Sequence, residues 1–156
     1  MIDSSLFARL AARIDSYAEA MIEMQCRLTA IPALSPDSAG DGEFEKSRLI
    51  LSYLQHFGFP PVREINAPDP RVSSSLRPNL MVTLSGKDQS KKVWILTHMD
   101  VVPPGELKLW SHDPYLGYVK EGTIFGRGTE DNQQDMVASI FAAKAFLDEG
   151  ILPEKS

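Results

Sequence analysis

The chain has 156 residues, a length that fits about one domain. It is 43% hydrophobic and 24% charged, which supplies a core and excludes a disordered tail, a collagen-like rod and a disulfide scaffold. The formal net charge is -5 with acids and bases interspersed, so no basic face is offered to nucleic acid, and no apolar run reaches the roughly 18 residues of a membrane span.

Residues 4–30 read as one long helix, with Phe7, Leu10, Ile14, Tyr17, Met21, Met24 and Leu28 recurring at gaps of 3 and 4. Asp3 or Ser4 caps its start and Pro32 ends it. The same spacing fits a coiled-coil seam, although Tyr and Met are poor seam residues and a helix lying on a core is favoured. Asp3, Arg9 and Arg13 interrupt the apolar pattern, so the segment lacks the core of a secretory signal. Cys26 is the single cysteine and has no partner for an internal disulfide, so a reducing cytoplasm is the expected compartment. Residues 31–42 form a loop. A second helix is predicted over 43–57 with Ile50, Leu51, Leu54 and Phe57 inward, stopped at Gly58.

Val62 to Ile65 is a short strand candidate, and residues 66–78, with Pro68, Pro70 and Pro78, read as a surface loop. Two strands follow, Asn79 to Leu84 and Lys92 to Thr97, joined by Ser85-Gly86-Lys87-Asp88. Val93-Trp94-Ile95-Leu96 is continuously apolar, the pattern of a strand covered on both faces. Residues 115–120 and 123–125, around Glu121-Gly122, read as a hairpin. The last helix is predicted over 132–148, rich in small residues (Ala138, Ala142, Ala143, Ala145) suited to close approach to a sheet, and it closes with Gly150. Helices alternating with strands give an α/β sandwich.

Two segments carry chemistry. In Thr97-His98-Met99-Asp100, residues two apart on an extended chain share a face, so Asp100 reaches the ring of His98. A carboxylate on one imidazole nitrogen fixes the tautomer and frees the other nitrogen for a metal. The segment also follows a predicted strand, where sites in open α/β sheets sit. A chance pair on a loop has the same sequence. In Gly126-Arg127-Gly128-Thr129-Glu130-Asp131, two glycines turn the backbone sharply and deliver Asp131 to the start of the last helix. There it is either a plain N-cap or a metal ligand; Glu130 is its rival and reads as a solvated charge. His56 at a helix end and His112 in a loop read as structural or exposed.

Together these segments resemble the zinc-dependent peptidase and deacylase family of carboxypeptidase G, aminoacylase-1, acetylornithine deacetylase and succinyl-diaminopimelate desuccinylase. The resemblance rests on His98-Met99-Asp100-Val101-Val102-Pro103, Trp110, Asp113-Pro114, Gly122, Gly126-Arg127-Gly128 and Asp131. Lighter matches are Ile31-Pro32, Gly58-Phe59 and Arg77-Pro78-Asn79-Leu80. It implies a three-layer α/β sandwich with a central mixed, mainly parallel sheet flanked by helices. It implies hydrolysis of amide bonds in N-acyl amino acids or small peptides with two zinc ions, cobalt or manganese being able to share such ligands. His98 would bind one zinc, Asp131 would bridge two, and Asp100 would orient His98. The Asp131–Asn132 peptide bond is expected to be cis. Asn132-Gln133-Gln134 departs from the Asp-Met-Lys common in the family, as in a subfamily variant.

Family members run to several hundred residues, so residues 1–156 correspond to the front portion of a catalytic domain. The Glu-Glu pair that would supply the general base and a further ligand does not occur in the sequence, and the lid and dimerisation domain has no counterpart. The expectation is a chain inactive alone that self-associates into a homo-oligomer through the open sheet edge beside Thr97. The competing reading is a non-catalytic module of the same fold acting by association. A nucleotide-binding domain fits poorly, because an acid at position 131 repels phosphate.

Overall fold

The computed structural model of the protein describes residues 3–156. Helix α1 (Ser4–Asp15) starts where the Asp3 carboxylate accepts from the backbone N–H groups of Ser5 (2.9 Å) and Leu6 (3.1 Å). The single helix predicted over 4–30 is in fact two, α1 and α2 (Ala18–Thr29). At the break the Ser16 hydroxyl donates to the Arg13 carbonyl (2.6 Å) and the Tyr17 N–H to the Ile14 carbonyl (2.9 Å), tightening the last turn. Tyr17 then turns onto the last helix, α4 (Gln134–Asp148). Its hydroxyl donates to Asp148 (2.5 Å) and its ring packs 5.3 Å from that of Phe141. The break also ends the coiled-coil alternative. Helix α1 buries no residue, and Phe7, predicted to face inward, is 65% exposed. Arg9 (2.9 Å) and Arg13 (2.6 Å) bind the helix to Glu149 beyond the end of α4.

Helix α3 (Phe44–His56) matches the predicted second helix and ends before Gly58. The core lies between α2, α3 and α4: Met24 and Leu28, Ile50 and Leu54, and Met136, Val137 and Phe141. The Phe57 ring closes it from the end of α3, 5.2 Å from Phe141. Of the alanines of α4, Ala145 is fully buried and serves close packing of helix on helix, whereas Ala138 is exposed.

The strands are short and antiparallel. β1 (Arg63–Glu64) pairs with β4 (Leu80–Met81), and β2 (Ala67–Pro68) with β3 (Leu76–Arg77), inside the segment predicted as loop. β5 (Tyr118–Lys120) and β6 (Thr123–Phe125) form the predicted hairpin, its two-residue turn made by Glu121 (φ +52°) and Gly122 (φ +76°). The mainly parallel central sheet is not formed among the described residues. Parallel contact is confined to single bridges, Leu34 with Val101 and Asp88 with Lys155. Residues 92–97, predicted as a covered strand, pair with no strand, and Val93, Trp94, Ile95 and Leu96 are 62–84% exposed. Apolar composition suits a strand to burial, but only neighbouring segments supply the cover, and here the contact is slight: the Val93 N–H donates to the Ser156 carbonyl (2.8 Å) while the four apolar side chains stay exposed.

Candidate functional site

Two segments converge on His98. The first runs Thr97–Val101 and is fixed at its end: the Val101 N–H donates to the Ala33 carbonyl (3.0 Å) beside the Leu34–Val101 bridge. The second is the turn between β6 and α4. Gly128 has φ +86°, and the chain then passes through Asp131 in an extended conformation (φ -109°, ψ 95°) with a cis Asp131–Asn132 bond. A buried polar seam on α2 holds this turn. Gln25 Nε2 donates to the Thr129 carbonyl (2.5 Å), and Thr29 Oγ1 bonds both the Gln25 carbonyl (2.9 Å) and Gln133 Oε1 (3.2 Å). The Gln133 N–H reaches back to the Gly128 carbonyl (3.1 Å).

Asp131 is not the cap of α4; Gln133 occupies that position and makes no side-chain cap. The Asp131 carboxylate instead sits with Oδ1 3.0 Å from His98 Nε2. On the other side of the ring, Nδ1 lies 3.0 Å from the Asp100 carbonyl and 3.1 Å from Asp100 Oδ1. The Asn132 side-chain oxygen accepts from the His98 N–H (3.2 Å). A backbone carbonyl only accepts, so Nδ1 carries a hydrogen. In the neutral ring Nε2 is then a lone pair, and it faces a carboxylate oxygen, also an acceptor. Such a contact holds only with a cation between the two: a proton, which makes the ring imidazolium, or a metal ion. The imidazole responds accordingly. Burial pulls its pKa down, but the bond to Asp131, the Asp100 carbonyl and both carboxylate charges outweigh that and raise it above the ordinary value.

The donors fit a divalent metal in kind. Zinc takes imidazole nitrogen and carboxylate oxygen at 2.0–2.2 Å, which puts two tetrahedral ligands about 3.4 Å apart; the 3.0 Å between Nε2 and Oδ1 is close to that. No group of three or more His, Cys, Asp or Glu placed for a metal occurs among the described residues. The rest of the site candidates lie apart. Glu130 is exposed. His56 lies beside the Phe57 ring, 5.7 Å away, and His112 packs 4.5 Å from Tyr118. Cys26 is half-buried, and burial pushes its thiol pKa up.

Sequence reasoning overlooked the seam and a buried ionic cluster. Gln25 and Thr29 stand one turn apart on the inward face of α2, a polar pair among apolar neighbours, which was the available signal. Glu43, at the start of α3, is bound by Arg77 through Nε (2.6 Å) and one terminal nitrogen. Arg77 also reaches Asp69 (3.5 Å), which Arg71 grips (2.8 Å). The Arg71 bonds, joined by Arg77, hold the Asp69 carboxyl well below the usual carboxylate range. Lys46, one turn into α3, is 1% exposed.

The class emerges from sequence relatives. The chain is 34% identical over 140 residues to an uncharacterised metallohydrolase of Methanococcus maripaludis, covering 85% of this chain and 33% of that protein. It is 32% identical over 133 residues to the succinyl-diaminopimelate desuccinylase of Stenotrophomonas maltophilia, covering 82% of this chain and 30% of that one. Residues 94–156 match the model of peptidase family M20/M25/M40, and the chain belongs to that family. Its fold is similar to that of part of human carnosine dipeptidase 1 (TM-score 0.74, 25% identity) and of the dipeptidase Dug1p of Saccharomyces cerevisiae (TM-score 0.72, 23% identity). Each alignment spans 92% of this chain and 32% of the other. The chain thus spans about one third of the length of the relatives it matches. No helix among the described residues is long and apolar enough to cross a membrane.

Proposed function

We propose that the chain forms the front part of the catalytic domain of a zinc-dependent hydrolase of amide bonds in N-acyl amino acids or small peptides. His98 and Asp131 would hold the metal, and Asp100 would orient the His98 ring. The supporting observation is the Nε2–Asp131 contact, two acceptors 3.0 Å apart, which calls for a cation. A bound divalent ion supplies polarisation of the amide carbonyl and activation of water. The chain's own residues do the rest of what is proposed here. The Asp100 carbonyl and carboxylate keep the hydrogen on Nδ1, and the Gln25–Thr29–Gln133 seam fixes the turn that aims Asp131. The general base and the remaining ligands have no counterpart in the sequence, which contains no Glu-Glu pair, so the 156-residue chain alone is inactive. The mainly parallel central sheet, the cytoplasmic setting and the homo-oligomeric state belong to the same proposal.

The exposed Val93–Leu96 segment favours a second reading, a module that acts by association. Zinc titration of the metal-free chain followed by calorimetry separates the two. Weak binding, lost in His98→Ala and in Asp131→Asn and weakening as pH falls because the proton competes for Nε2, supports the metal site. Binding unchanged in both variants, or no binding at any concentration, refutes it.

A further inference from the structure

Consecutive residues of the turn before α4 grip His98 at both ends. Asp131 faces its ring nitrogen Nε2 (3.0 Å), and the Asn132 side-chain oxygen accepts from its backbone N–H (3.2 Å). The second contact is isolated. From Trp94 to Asp100, the His98 N–H is the one backbone donor with a partner among the described residues. Upstream, residues 92–97 pair with no strand. Downstream, the next backbone anchor is the Val101 N–H on the Ala33 carbonyl (3.0 Å). Asn132 is half-buried and precedes α4 with backbone angles outside the helical range (φ -132°, ψ 41°). An N–H only donates, so the amide atom that faces it is the oxygen, and this fixes the orientation of the side chain.

We infer that Asn132 is a positioning residue: its side-chain oxygen pins the His98 backbone and so holds the imidazole at the Asp131 carboxylate. The ring reaches Asp131 from a backbone that no sheet fixes. With the N–H released, only contacts of the exposed ring itself would join His98 to the turn, and the unpaired segment before it would carry the residue away. A residue without an acceptor at position 132 cannot make this bond, whereas an aspartate can. The inference rests on the proposed role of His98 and Asp131, but its test needs no metal.

The test is NMR of the metal-free chain, reading hydrogen exchange of the His98 amide and NOE contacts between the His98 ring protons and the Asp131 methylene. In the unaltered chain the His98 amide is expected to exchange about 2–12-fold more slowly than those of Leu96 and Thr97, after correction for neighbouring side chains, which is the effect of one hydrogen bond of ordinary net strength. Asn132→Ala is expected to abolish that protection and the NOE contacts. Asn132→Asp keeps an acceptor oxygen in place and is expected to retain both. The Gln133 amide, which donates to the Gly128 carbonyl (3.1 Å), reports on the turn as a whole and is expected to stay protected in both variants. A His98 amide as fast as its neighbours in the unaltered chain overturns the inference. So do NOE contacts that survive in Asn132→Ala, failure of Asn132→Asp to retain them, or loss of Gln133 protection along with that of His98, which would mean a turn that has simply loosened. Should Asn132→Ala not fold, a crystal structure of the unaltered chain decides: Asn132 Oδ1 within hydrogen-bond reach of the His98 nitrogen supports the inference, and Oδ1 out of reach overturns it. A chain that binds no zinc but passes this test loses the proposed function and keeps the Asn132–His98 linkage.

Discussion

Substituting Gly128 by alanine tests how the turn before α4 is built. Gly128 has φ +86°, and a Cβ added there would stand 2.5 Å from Val101 Cγ1 and 2.6 Å from Gln133 Nε2. Two costs follow. A left-handed backbone with a Cβ costs about 1–2 kcal/mol, and forcing a methyl into a packed site costs about 1–3 kcal/mol, for a sum of about 2–5 kcal/mol. Gly122 is the control, because it has φ +76° but nothing within 4 Å of its added Cβ; its alanine variant carries the backbone cost alone. For a chain of this size the Gly128→Ala loss corresponds to a melting temperature lower by roughly 4–20 °C. Urea denaturation of both variants reads the difference directly. The second cost falls on Val101 and Gln133, the residues that fix the His98 segment and the Asp131 turn, so the Gly128 variant should also shift the His98 ring signals while the Gly122 variant leaves them alone. A Gly128→Ala variant no less stable than Gly122→Ala would refute the close packing of this turn.

Phe141→Ala empties the centre of the helical core, where the ring lies 5.3 Å from Tyr17 and 5.2 Å from Phe57; a loss of about 3–5 kcal/mol in urea denaturation is expected, and a loss under about 1 kcal/mol would mean the site collapses freely. Burial lowers the Lys46 pKa to about 8 from 10.5, against the opposing pull of Asp100 and Glu43. Between those values the unfolded chain holds more protons than the folded one, so stability rises with pH there, by roughly 3 kcal/mol over the full window. Cys26 and Tyr17, both pushed up by burial, act the other way above their unfolded values. The quantity to measure is therefore wild type minus Lys46→Met, and an equal pH slope in the two would contradict the burial of the ammonium. Val93, Trp94, Ile95 and Leu96 present a continuous exposed apolar segment, so sedimentation should show self-association that Ile95→Lys weakens; a monomer at high concentration would contradict it.

Local chemistry made much of this protein legible in its sequence. Helix α3 with its Gly58 stop, the hairpin at Glu121-Gly122 and the body of α4 depend on spacing and turn residues close together in the chain, and they stand where the sequence puts them. His98 and Asp100 are two residues apart, so their contact needs no tertiary information. Asp131 was legible as a candidate only, because capping and ligation use the same residue type at a helix start. What separates them is the irregular turn, held by Gln25 and Thr29 more than a hundred residues earlier in the chain, which carries the carboxylate off the helix and onto His98. The break at Ser16-Tyr17 was hidden for a similar reason. The apolar period runs through it unbroken, and only the docking of Tyr17 on Asp148 and Phe141 turns the chain. The burial of Lys46 was likewise out of reach, since a lysine in the first turn of a helix ordinarily points to water. At Val93–Leu96 the sequence wrote a strand suited to cover on both faces, but cover is a property of neighbours. Propensity and periodicity are written residue by residue, whereas burial and the aim of a side chain are decided by which distant segments come to lie beside it.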